Sequence, residues 1–187
     1  QCEETWFAGV KRLMPAHNLI CKNGQIEIRK YWEYPTHTLK KMPLEEASEI
    51  YRSLFFDAVR LRMRSDVPVG TTLSSGLDSS SIVSVLRKFY GNHHKTFTAV
   101  FDPSEYKKKE KSVYRKDICI DEGFVVKRLA KELNLEAHLI KVESENFLKD
   151  LWDIIYYLES GHSSPAIIPL SKIMTYAKDH VTVVMEG

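Results

Sequence analysis

A doubly wound parallel α/β sheet, preceded by a β-hairpin, is the architecture this sequence predicts, on three observations. First, Val69-Gly70-Thr71-Thr72-Leu73 is a short apolar and β-branched run. It passes through Ser74, Ser75, Gly76 and Asp78 into the helical spacing of Ile82, Val83 and Leu86, giving a strand, a small-residue turn and a helix. Second, strand-like runs recur at 95–101, 136–142 and 181–185 with helical patterns between them, and crossovers of that length imply parallel pairing with right-handed connections. Third, Asn23-Gly24 joins two β-type runs, the strongest short hairpin signal.

The hairpin runs are His17 to Cys21 and Gln25 to Trp32, and they belong to a first section, residues 1–34. Residues 35–43, with Pro35, His37, Pro43 and the lysines Lys40 and Lys41, read as a linker. From residue 44 the second domain begins. Its first helix is expected to bury Ala47, Ile50, Tyr51, Leu54, Ala58 and Leu61. Arg60, Arg62 and Arg64 suit the negative pole of that helix, a solvated end rather than a phosphate site. The helix after the central turn is expected to bury Ile82, Val83, Leu86, Phe89 and Tyr90 and to stop at Gly91-Asn92. The block from Lys107 to Lys116 reads as an exposed loop rather than a polyanion site. A helix from Asp121 buries Phe124, Val125, Leu129 and Leu133; Asp121 and Glu122 complement its dipole, with a position facing the crevice as the alternative. His138, on the third strand, reads as structural. Ser144 reads as the N-cap of a helix carrying Phe147, Leu151, Ile154, Ile155 and Leu158. His162 lies in the loop that follows, where it could line a substrate pocket, and Pro169 suits the first turn of a helix carrying Leu170, Ile173, Met174 and Ala177.

The central turn carries the chemistry. A helix N-terminus after a strand presents free N–H groups and the positive end of the dipole, an anion cradle. The hydroxyls of Ser74, Ser79 and Ser80 add donors. A carboxylate in such a place suits a shared cation, so Asp78 suggests magnesium bridging to phosphate oxygens. Ligands of open α/β sheets bind at the carboxyl ends of the strands, which puts Val100 and Phe101 beside the same crevice. The ordinary P-loop ending, Gly-Lys-Ser/Thr, is absent.

This loop resembles the S-G-G-x-D-S pyrophosphate-binding PP-loop of the N-type ATP pyrophosphatases. The longer string Ser65-Asp66-Val67-Pro68-Val69-Gly70, then Leu73-Ser74-Ser75-Gly76-Leu77-Asp78-Ser79-Ser80, resembles the glutamine-hydrolysing asparagine synthetase family. Ser75 departs from the pattern, standing where the family has Gly, a concern if that position needs positive φ or close backbone approach. The first section resembles the end of that family's N-terminal-nucleophile glutaminase domain; Ala16 stands where that pattern has Gly. The family's nucleophilic Cys precedes Gly-Ile, whereas Cys2 precedes Glu3-Glu4 and reads as a plain thiol.

The resemblance implies an adenine nucleotide alpha-hydrolase-like fold, with residues 44–187 as the N-terminal part of the synthetase domain. It implies ATP and Mg2+ as cofactors and a ligase that makes asparagine from aspartate and ammonia released from glutamine. By resemblance, the nucleotide contacts are Leu73, Ser74, Ser75, Gly76, Asp78, Ser79, Ser80, Val100, Glu186 and Gly187, with Asp78 also the metal ligand and catalytic group. Two rivals stand beside it: a related carboxylate-adenylating ligase of the β-lactam synthetase or macrolactam cyclase type, and a nucleotide-binding module without turnover.

The bulk properties restrict partners. The 27 Lys and Arg nearly balance 25 Asp and Glu, so composition favours neither nucleic acid nor membrane. Cys2, Cys21 and Cys119 are too few and too scattered for a disulfide framework or a zinc site, which fits a reducing cytoplasm. A homodimer stays open. The chain starts without Met and stops as an apolar strand reaches Gly187, which reads as an internal piece of a longer protein, inactive by itself.

Overall fold

The computed structural model describes residues 3–35, 41–91, 94–101, 122–143, 145–162 and 164–187. The chain divides into two units, Gln1–Leu44 and Glu45–Gly187.

In the first unit, β1 (His17–Lys22) and β2 (Gln25–Lys30) pair antiparallel, from His17 opposite Lys30 to Lys22 opposite Gln25. Asn23 (φ +53°) and Gly24 (φ +76°) supply the two left-handed residues that a two-residue hairpin turn requires. Ala16 also sits at positive φ, +61°, and its carbonyl accepts the Tyr31 N–H at 2.8 Å.

The second unit runs α1 (Leu44–Arg62), β3 (Val69–Thr72), α2 (Leu77–Tyr90), β4 (Lys95–Val100), α3 (Glu122–Leu133), β5 (Glu136–Lys141), α4 (Phe147–Leu158), α5 (Ile167–Ala177) and β6 (Val183–Met185). Its strands lie in the order β5-β4-β3-β6, every neighbouring pair parallel. The chain therefore builds outward from β3 through β4 to β5, then returns to place β6 on the other side of β3. That reversal makes the gap between β3 and β6 the topological switch point.

Helices cover both faces. On one, Val59 of α1 packs with Ile82, Val85 and Leu86 of α2 and Met185 of β6. Leu73, Val83 and Val126 continue that layer toward Leu139 of β5. On the other, Phe97 of β4 packs with Ile173 and Ala177 of α5 and with Val181. The alternation of Phe97 and Ala99 against Thr96 and Thr98 assigns β4 to both layers, as a doubly wound sheet demands.

Several expected core faces are corrected. In α1 the face packed on the core is Phe55, Phe56 and Val59, continued by Met63 just past the helix, while Ile50, Tyr51, Leu54 and Leu61 are exposed. This helix carries two apolar stripes at i, i+4 spacing, and sequence periodicity cannot say which meets a partner. In α2, Val85 is buried where Phe89 and Tyr90 were expected; both aromatics lie exposed in the last turn. In α3, Val126 and Ala130 are buried and Phe124 is exposed. Phe147, Leu158 and Met174 are likewise exposed. Gly91 (φ +76°) ends α2, its N–H donating to the Arg87 carbonyl. The expectations on Cys2, Asp121, the Glu122 side chain, Ser144, Cys119 and the 107–116 block fall outside the described residues. Among the described residues no helix is long and apolar enough to cross a membrane.

Candidate active site

β3 delivers the loop to the switch point. Gly70 makes this possible: a Cβ there would lie 2.5 Å from the Phe97 ring and 3.3 Å from the Lys95 carbonyl, so only glycine lets β3 and the core ring approach this closely. After Thr72 the Leu73 N–H donates to the Phe97 carbonyl at 2.9 Å, and the chain turns through Ser74, Ser75 and Gly76 into α2.

A serine network shapes the turn. The buried Ser79 hydroxyl accepts the Ser74 N–H at 3.1 Å and lies 2.8 Å from the Ser74 hydroxyl, which accepts the Gly76 N–H at 3.1 Å. Ser79 Oγ also lies 3.3 Å from the Ser74 and Gly76 carbonyls. Ser80 Oγ donates back toward the Gly76 carbonyl, 2.8 Å, with the Leu77 carbonyl at 3.0 Å. The three hydroxyls read from sequence as anion donors are thus engaged within the loop itself. The backbone offers further donors. Ser80 N–H closes the first helical bond to the Gly76 carbonyl at 3.2 Å, while the N–H groups of Ser75, Leu77, Asp78 and Ser79 have no partner among the described residues. Ser75 does not take positive φ, so the replacement of glycine at that position brings no left-handed strain.

Asp78 and Glu186 are exposed, and neither carboxylate has an ion-pair or hydrogen-bond partner among the described residues. β6 aligns with β3 so that Met185 lies opposite Thr71, which carries Glu186-Gly187 to the start of α2. A Cβ on Gly187 would meet the Ser79 nitrogen at 3.3 Å and Asp78 C at 3.4 Å. The fold therefore brings together residues 73–80 and Glu186-Gly187, which the sequence separates by a hundred positions. Val100 ends β4 at the same edge of the sheet, but its carbonyl accepts the Val142 N–H at 2.9 Å. His162 bonds locally, its ring nitrogen 2.9 Å from the Ser164 carbonyl. His138 is structural: it stacks on Phe97 and reaches Tyr176 Oη at 3.2 Å and Glu136 at 3.1 Å.

One contact at the entry to the loop escaped the sequence reading. Thr98 is 2% exposed and donates its hydroxyl to the Leu73 carbonyl at 2.6 Å. Its only sequence signal was the β-branched alternation of a strand. The donor set has a clear chemical character. Open amides and the α2 dipole favour an anion. Asp78 adds an unneutralised hard oxygen ligand. No group of three or more metal-ligating side chains occurs among the described residues. One unpaired carboxylate next to open helix N-terminal amides fits magnesium, which takes one or two carboxylates and completes its shell with phosphate oxygens and water.

An α/β protein with an anion cradle at its switch point is the class that fold and site define. The asparagine synthase family matches residues 51–187. The chain belongs to the asparagine synthase family. It is 30% identical over 187 residues to asparagine synthetase [glutamine-hydrolyzing] 1 of Bacillus subtilis, covering 98% of this chain and 27% of that protein. It is 31% identical over 172 residues to amidase chry2 of Gibberella zeae, covering 83% of this chain and 24% of that protein. Among solved structures it is similar to the NH3-dependent NAD synthetase of Campylobacter jejuni, at TM-score 0.40 and 16% identity over 76% of this chain and 56% of that one. The chain spans about a quarter of the length of these two curated relatives.

Proposed function

We propose that this chain is the ATP-binding part of a cytoplasmic, glutamine-dependent asparagine synthetase. In this reading residues 1–34 end a glutaminase domain, 35–43 link it, and 44–187 begin the synthetase domain. The observation that carries the reading is the open set of loop amides, beside an unpaired Asp78, at the switch point of a chain from this family. Those amides and the α2 dipole bind the β- and γ-phosphates. Asp78 would hold magnesium, which would supply neutralisation of charge on the departing pyrophosphate. Glu186 and Gly187 border the nucleotide.

The aspartate side-chain carboxylate attacks the α-phosphorus, and the bond to the pyrophosphate oxygen breaks. β-Aspartyl-AMP and pyrophosphate result. Ammonia released from glutamine then attacks the acyl carbon, AMP leaves, and the amine loses a proton to solvent. The loop contributes positioning and electrostatic stabilisation, with no covalent role.

A second reading, a ligase that adenylates a different carboxylate, is favoured by the likeness to a protein called an amidase. One assay tests both. The complete polypeptide is given MgATP with aspartate, or with other carboxylates, and pyrophosphate is measured. Aspartate-dependent release supports the first reading, and release that needs another carboxylate supports the second. Absence of release with every carboxylate leaves a binding module.

A further inference from the structure

The β3–β4 ladder runs from Gly70 opposite Lys95, through Thr71 opposite Thr96, to Thr72 opposite Phe97. Leu73 extends it by one bond, N–H to the Phe97 carbonyl. In a parallel ladder the N–H and carbonyl of one residue bond to the residues before and after the one opposite. The next bond here is therefore Ala99 N–H to the Leu73 carbonyl. It is not made among the described residues. The Leu73 carbonyl takes the Thr98 hydroxyl instead, at 2.6 Å, in a buried setting. β3 stops pairing at this point, whereas β4 continues against β5 as far as Val100 opposite Lys141. The two strands part at the residue that opens the loop.

We propose that Thr98 is a positioning residue for nucleotide binding. Its hydroxyl substitutes for the next rung of the ladder, ends the β3–β4 pairing and turns the 74–76 segment away from β4. The amides of Ser75, Leu77, Asp78 and Ser79 are thereby free to meet phosphate oxygens. This rests on the reading of the loop as an ATP site.

The test uses the complete polypeptide and isothermal titration of MgATP. Thr98→Val keeps the shape and the β-branching but removes the donor. It is expected to weaken MgATP binding about tenfold, the scale of one buried hydrogen bond that holds the loop open. Thr98→Ser keeps the hydroxyl and is expected to stay within about twofold of wild type by the same argument. Hydrogen exchange by mass spectrometry gives a readout that packing alone does not move: the peptide holding Ala99 gains protection in Thr98→Val as the ladder extends to Leu73. Should Thr98→Val not fold, Thr98→Ala takes its place. Equal affinity in wild type and the hydroxyl-free variant overturns the inference and leaves the ATP reading standing, as does an equal loss in Thr98→Ser. A wild type that binds no MgATP overturns both.

Discussion

Asp78 sits in the first turn of α2 with its carboxylate exposed and unpaired, among N–H groups that have no partner among the described residues. Near a helix N-terminus its charge is favourable by itself, so exchange to a neutral amide of the same shape changes charge and metal affinity while the fold survives. In the complete polypeptide, Asp78→Asn is expected to lower ATP-dependent pyrophosphate release at least about a hundredfold, the scale of losing one preorganised electrostatic group. Glutamine hydrolysis is expected to continue in the same preparation, and unchanged pyrophosphate release removes the metal role. Ala16 is the converse case, a residue whose backbone is strained and whose side chain makes no claim on the site. At φ +61° its Cβ crowds the backbone, which costs about 1–2 kcal/mol, partly offset by the extra freedom glycine has when unfolded. Ala16→Gly is expected to stabilise the hairpin by about 0.5–1 kcal/mol on those grounds. The measurement is slower hydrogen exchange of the Tyr31 amide, which bonds to the Ala16 carbonyl.

At the scale of elements, β3 is fixed by two close contacts. Phe97 fills the space over Gly70, so Gly70→Ala must displace a buried ring; the expected loss is about 1–3 kcal/mol, read as a lower Tm. The buried His94 beside the start of β4 bonds through Nε2 to the Thr71 hydroxyl, and burial holds its pKa below the ordinary histidine value. The unfolded chain therefore binds the proton more readily than the folded one. The contribution of neutral His94 is complete above pH about 6.5 and is lost as pH falls from there through the depressed folded value. Tm is expected to fall over that range, and His94→Gln, which keeps an amide facing Thr71, is expected to flatten the slope. Element identity was legible because local chemistry dictates it: Asn23-Gly24 fits a turn with two positive φ angles, and a small-residue run after Val69–Thr72 suits a strand entering a helix. Burial faces were less legible. Phe89, Phe124 and Tyr51 are as apolar as the residues that do pack, and only the neighbouring elements decide between them. The serine hydroxyls are hard to read from sequence for a related reason: a hydroxyl in a tight turn also meets backbone carbonyls within 3.3 Å. Thr98 was invisible because a strand threonine announces propensity and nothing about the acceptor across the ladder.

For the whole molecule, the order β5-β4-β3-β6 is what makes one site from distant residues: it sets the β6 exit against the α2 N-terminus, and no local pattern in the sequence encodes that adjacency. The same layering leaves surface uncovered. α4 buries Ile154 inward, yet Leu148, Trp152 and Tyr156, four residues apart on its opposite side, are each at least 70% exposed, and Tyr157 is 81% exposed beside them. This helix has exposed apolar side chains beside the Lys149–Asp153 pair as well as its buried one, and exposed apolar surface of this kind attracts apolar ligands and other chains. Residues 1–187 expressed by themselves are therefore expected to bind an anilinonaphthalene dye while retaining a cooperative melt. Replacing Leu148 and Trp152 by Glu removes the centre of the stripe without touching Ile154 or the Lys172–Asp150 pair that joins α4 to α5 at 2.7 Å. Exposed positions of this type change stability by roughly 0.5 kcal/mol or less each, so the melt is expected to stay in place while dye fluorescence drops. A drop in Tm together with unchanged dye binding assigns the stripe to the core of this unit instead, and locates the dye site elsewhere.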